Sequence, residues 1–197
     1  MRIVSVKRAI IILLVIGIMV VVSGCVRYPG EPGPEPGETD YQLEITIEVK
    51  GNISSGLNDD GIYYIVLDTD GNSATGPFSD ISLWDDRFYY IKLEDGFFYF
   101  TKVEEGSPVL QLTDSSYSED KLEVAIALSD LEDPSSVDIN VVTTDSEDNT
   151  YDYLDGYFTI ITQLNETGEG VILEGGTEEG GPDFDIVKVT AVITTLH

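Results

Sequence analysis

RFYYIKLEDGFFYFTKV, residues 87–103, decides the fold. Two aromatic-rich runs flank Asp95-Gly96, the pair most favoured in a two-residue hairpin turn, whose central positions need positive φ. That turn sets the register. Leu93 pairs with Phe98, Ile91 with Phe100 and Tyr89 with Lys102, a mostly core-facing set. Phe88, Tyr90, Phe97 and Tyr99 then share the opposite face with Lys92 and Thr101.

The segments around the hairpin carry the same signal. LEITIEVK (43–50) alternates apolar and polar residues as a half-buried strand does, and IYYIVL (62–67) is apolar on both faces. LEVAIAL (122–128), VDINVVT (137–143), YFTIIT (157–162) and DIVKVTAVITT (185–195) follow, punctuated by Asp, Gly, Ser and Asn clusters. No window of helical length has a 3.6-residue period, and SDLED (129–133) suggests only a single helical turn. Residues 168–185 read as a mobile loop with a short strand at Val171 to Leu173. The expectation is an all-β, antiparallel two-sheet sandwich of eight or nine strands over residues 41–197.

The chain before residue 41 has a different composition. Arg2, Lys7 and Arg8 precede a fourteen-residue apolar run from Ala9 to Val22, too short for a comfortable membrane span. Ser23, Gly24 and Cys25, the single cysteine, come next. A branched apolar residue, two small residues and a cysteine resemble the lipobox of prokaryotic lipoproteins. That resemblance implies a signal peptide over 1–24, a diacylglyceryl group on the Cys25 sulfur, and a protein held at the cell membrane facing the extracellular or periplasmic side. The alternative is an uncleaved anchor helix ending in Ser-Gly-Cys; either way the rest hangs outside a membrane. YPGEPGPEPGETD (28–40) is a semi-extended acidic spacer, so residues 25–40 form the lipidated cysteine and its linker.

Removing residues 1–24 takes away three basic groups and no acidic ones, leaving 10 − 3 = 7 Lys and Arg against 37 Asp and Glu, a formal charge of −30. Such a field excludes nucleic acid and anionic headgroups as partners and attracts cations. A solvated acidic face without a specific partner accounts for the charge more simply. The one histidine is the terminal His197, so Ser-His-Asp, Cys-His, zinc-histidine and histidine-ligated haem chemistry all lack their residues. A carboxylate pair is the remaining route to catalysis, and no segment singles one out. The expectation is a protein that is not an enzyme.

VLDTDGNSATG (66–76) leaves a buried strand and presents Asp68, Asp70 and Asn72 at alternate positions. Oxygen donors on a turning backbone suit calcium, although glycine falls at the fourth rather than the sixth position and Ser79 stands where an EF-hand has Glu. The competing account is a strand-exit turn built from side-chain-to-backbone bonds. On the outer face of the hairpin, Tyr90, Phe97 and Tyr99, with Trp84 beside them, could make a platform for sugar rings. Alternatively another strand or the acidic C-terminal loop covers them. Asn52-Ile53-Ser54 and Asn165-Glu166-Thr167 fit the N-glycosylation pattern, making Asn52 and Asn165 acceptor candidates.

Three features in order carry a wider resemblance: the strand ending in Asp68-x-Asp70 with Thr75-Gly76, the aromatic hairpin, and KLEVAIALSDLEDPSSVDINVVTTDSEDNTYDYLD. Together, over roughly residues 41–162, they resemble the sandwich domains related to DOMON domains and family 9 carbohydrate-binding modules. Such domains are extracellular and bind sugars, haem or calcium; where they sandwich a sugar between two tryptophans, this chain has Trp84 alone. The resemblance implies non-catalytic binding of an extracellular carbohydrate. The other expectation is an envelope component whose sandwich docks a protein partner without a small ligand.

Overall fold

The computed structural model describes residues 40–58, 60–72, 74–162, 167–168 and 180–195. Its strands are β1 (Tyr41–Val49), β2 (Ile62–Asp68), β3 (Phe88–Glu94), β4 (Phe97–Lys102), β5 (Leu110–Leu112), β6 (Ser116–Tyr117), β7 (Lys121–Ala127), β8 (Ser136–Thr144), β9 (Thr150–Tyr153), β10 (Phe158–Ile161), β11 (Thr167–Gly168) and β12 (Ile186–Thr195). One short helix, α1 (Ile53–Asn58), and two 3-10 turns, Ile81–Leu83 and Leu128–Leu131, complete the described elements.

The strands form two antiparallel sheets. The first runs β11-β12-β1-β7-β6; the second runs β10-β8-β2-β3-β4-β5, with β9 also paired to β8. The hairpin register is the expected one: Leu93 faces Phe98, Ile91 faces Phe100 and Tyr89 faces Lys102. Asp95 and Gly96 both have positive φ, 52° and 80°, which matches the right-handed twist of the strands they join.

Alternation in β1 explains the core. Leu43, Ile45 and Ile47 point inward, as do Leu122, Val124 and Ile126 of β7 and Val189, Ala191 and Ile193 of β12. They meet Tyr63, Ile65 and Leu67 of β2, Ile91 and Leu93 of β3, Phe98 and Phe100 of β4, and Val137, Ile139 and Val141 of β8. Burying each large aliphatic side chain contributes roughly 2 kcal/mol. The core lies entirely within the compact unit Thr39–His197.

The two sheets differ on their outer faces. Glu44, Glu48 and Glu123 stand outward on the first sheet, as on any solvated antiparallel face. Every residue of β2 is buried, because segment 69–87 folds over the outer face of the second sheet. That is why IYYIVL is apolar on both sides.

The structure corrects three expectations. There are twelve described strands rather than eight or nine, since β5, β6, β9 and β11 are too short to show alternation. Helix α1 was not anticipated: ISSGLN carries Ser and Gly rather than good helix formers, and tertiary contacts hold it, with Ile53 fully buried. Residues 180–185 are anchored rather than loose. Phe184 packs on Tyr151 at 4.7 Å and Tyr63 at 5.7 Å, and the Tyr63 hydroxyl donates to the Asp183 carbonyl at 2.8 Å. SDLED does form a single turn, closed by Glu132 at φ 65°. The strand expected at Val171 to Leu173 lies outside the described residues.

Candidate functional site

The outer face of the second sheet is built from Ile62, Tyr64 and Val66 of β2, Phe88, Tyr90 and Lys92 of β3, Tyr99 and Thr101 of β4, and Asn140 and Val142 of β8. A second apolar cluster forms there, of Ile62, Tyr64, Val66, Phe88 and Val142, with Trp84, Tyr90 and Tyr153 packed against it. It is separate from the core between the sheets.

Segment 69–87 positions this cluster through a series of side-chain turns. Asp68 Oδ1 accepts from the Asp70 N–H at 2.9 Å, Asp70 Oδ1 from the Asn72 N–H at 2.6 Å, and Asn72 Oδ1 from the Ala74 N–H at 3.2 Å. The Thr75 hydroxyl donates to the Asn72 carbonyl at 3.0 Å. Gly76 lies flat against the Tyr157 ring, where a Cβ would stand 2.2 Å from a ring carbon. Asn140 reaches up from β8 and donates to the Pro77 carbonyl at 2.9 Å. Asp80 caps the turn Ile81–Leu83, accepting from the Ser82 N–H at 2.9 Å. These bonds deliver Trp84 to the sheet.

Trp84 meets Tyr64 edge-on at 5.4 Å and Tyr90 at 5.9 Å, with 36° between the latter two ring planes. Its indole N–H donates to the Phe78 carbonyl at 2.8 Å, so the ring is fixed at both ends. Tyr64 and Tyr90 are 5.9 Å apart. Trp84, Tyr90 and Tyr99 are all half-buried, and none belongs to the core between the sheets. Phe88, grouped with them by alternation, is fully buried under Phe78, with Arg87 5.5 Å above its ring. The loop before the hairpin covers this end of the face through Phe78, Ile81 and Trp84. Phe97 is 51% exposed at the turn end of β4, on a shallow groove with Gln111, Thr113 and Tyr117, and stands apart from Trp84.

Next to Phe88, at this loop-covered end of the face, two carboxylates meet. Asp68 closes β2 and stands opposite Asp138 of β8, and they are 1% and 4% exposed. Asp138 accepts a hydrogen bond from the Thr159 hydroxyl. Burial pushes the Asp68 carboxyl up to about 6; the Asp70 N–H and the charge of Arg87 oppose the rise, and the charges of Asp70 and Asp138 add to it. Burial raises Asp138 as well, against the Thr159 hydrogen bond. Arg87 is committed elsewhere. It chelates Asp85 through contacts of 2.6–3.1 Å, holding that carboxyl below its ordinary range, and comes within 3.5 Å of Asp70.

The structure therefore gives Asp68, Asp70 and Asn72 the work of building the turn, and among the described residues no three carboxylate, imidazole or thiolate side chains converge as a metal-binding group. It places Asp138 rather than Asn72 beside Asp68. VDINVVT did carry one signal for Asp138, a charged residue inside a strongly apolar strand. Asn52 directly precedes α1, half-buried, with its backbone N–H donating to Asp183 at 2.6 Å. Cys25 and Asn165 lie outside the described residues. No protein-family model matches this chain, and no curated protein is significantly similar to it.

Proposed function

We propose that this chain is a lipid-anchored cell-surface protein whose sandwich domain binds an extracellular carbohydrate without catalysis. The observation that carries the reading is the contact of Trp84 with Tyr90 on one outer sheet face, both half-buried and braced by Tyr64, with half-buried Tyr99 on the same face one strand over. Sugar rings present C–H faces that stack on aromatic rings, and a ring already held in place loses little freedom on binding. Trp84 is held by Phe78, Tyr64 and Tyr90, while Lys92, Glu94 and Gln111 supply polar groups alongside. The order of motifs shared with DOMON-like and family 9 carbohydrate-binding modules supports the same ligand class. Anchoring rests on the basic, apolar and Ser23-Gly24-Cys25 series ahead of the Pro/Gly tether.

The test is a binding screen of the compact unit, residues 39–197, against extracellular polysaccharides, followed by Trp84 fluorescence. Trp84 is the only tryptophan in the chain, so the signal is site-specific. Specific binding weakened about tenfold or more by Trp84→Ala, Tyr90→Ala or Tyr99→Ala, a loss of about 1.4 kcal/mol, is the expected result. A folded domain that binds none of them favours the second reading, an envelope component docking a protein. That reading draws on exposed Phe97, Val109 and Leu110 at the β4–β5 edge.

A further inference from the structure

Asp68 and Asp138 present a problem in electrostatics. Two carboxylates sit side by side on adjacent strands, almost fully removed from solvent. Taking one such charge out of water costs several kcal/mol, and placing a like charge beside it adds to that. A protein cation would ordinarily offset the pair. Among the described residues none forms an ion pair with either: the guanidinium of Arg87 is bound to Asp85, comes within 3.5 Å of Asp70, and acts on Asp68 only through space.

The hydrogen bonds leave the same gap. Asp68 Oδ1 is occupied by the Asp70 N–H, but Asp68 Oδ2 is buried and accepts no hydrogen bond. Buried carboxylate oxygens without a partner are rare, and each calls for a reason. Asp138 is held by Thr159, so its carboxylate is oriented from the side away from β2. Both carboxylates belong to strands, not to a loop.

We propose that the Asp68–Asp138 pair is a divalent-cation site, and that the cation is calcium. Two carboxylates balance a charge of +2, and Asp68 Oδ2 is the oxygen that lacks a partner. The donors are all hard oxygens, with no thiolate or imidazole, which selects the calcium and magnesium class over zinc or copper. Calcium tolerates irregular oxygen shells completed by neutral oxygens and water, which suits a site with two carboxylates rather than three. Few charged ligands mean modest affinity, about 0.1–1 mM, the range of extracellular modules. Asp70, two residues on from Asp68 and exposed, adds its negative charge beside the pair. The ligand set differs from the alternate-position series Asp68, Asp70 and Asn72: Asn72 is exposed and caps Ala74. The site is independent of any carbohydrate.

The experiment uses the full chain in a non-ionic detergent, stripped with EDTA and titrated with calcium chloride at 150 mM salt. Heat of binding and melting temperature are read together. Wild type is expected to take up one saturable calcium that raises its melting temperature. Asp68→Asn and Asp138→Asn should each lose that uptake, and Glu105→Gln, at an exposed acid far from the pair in sequence, should keep it. Uptake that both site variants retain overturns the proposal. So does diffuse, salt-screened uptake with no saturable step, as a chain of net charge −27 would show with no specific site. If neither variant folds, Asp68→Glu and Asp138→Glu, which keep both charges but move the oxygens, take their place: calcium affinity unchanged in both overturns the proposal.

Discussion

Asp68 and Asp138 face each other across the β2–β8 ladder, both buried, and no described side chain forms a direct ion pair with either. Stability at this point therefore depends on pH. The Asp68 carboxyl titrates near 6 in the folded protein against 3.8 ordinarily, so between those values the folded state holds more protons than the unfolded one. Stability then falls as pH rises from about 4 to about 6, and the penalty is complete above that. In EDTA, Asp68→Asn should match wild type near pH 4 and exceed it by on the order of 1–3 kcal/mol at pH 7. Urea melts at both pH values measure this; equal gains at the two would show that Asp68 is not the titrating group.

The two faces of the hairpin should respond differently to truncation. Ile91 is 1% exposed between the sheets, and Ile91→Ala should cost about 2–5 kcal/mol. Phe97 is half-exposed at the turn, and Phe97→Ala should change stability by no more than about 0.5 kcal/mol. Denaturant midpoints compare them directly. A reversed order would mean that the register is shifted by one residue.

Gly96 has φ 80° at the second turn position, where a Cβ would also come within 3.1 Å of the Tyr117 hydroxyl. Gly96→Ala should cost about 1–2 kcal/mol. Asp95→Asn, which keeps a residue tolerant of positive φ, should be nearly neutral. Thermal melts of both would show whether the turn conformation, rather than the charge at 95, is what matters.

Membrane attachment is tested at Cys25. Cys25→Ser removes the only thiol able to take a lipid, so the protein should move to the soluble fraction or persist as an uncut precursor. Unchanged membrane fractionation and unchanged mass would exclude lipidation there.

Strand pairing in the hairpin was legible because its signals are local. Residues 88–102 alternate with period two about Asp95-Gly96, and a two-residue turn leaves one register. The short strands β5, β6 and β9 were not legible, since two to four residues give alternation nothing to act on. Neither was α1, held by Ile53 in the core against a poor helical sequence. For the candidate site, Trp84 and Tyr90 were read correctly onto one face and the structure puts them in contact, whereas Phe97 lies apart and Phe88 is covered.

By itself, the sequence determined an all-β domain, the hairpin register and the inward side of the long strands. Those follow from the alternation of side chains along a strand and from the backbone demands of Asp-Gly. Only the tertiary structure decided that the loop between β2 and β3 packs on an outer face, and that Asp138 rather than Asn72 stands beside Asp68. The reason is physical: strand alternation states which side a residue points to, but the neighbour across the ladder comes from a distant part of the chain, and sheet order alone brings the two together.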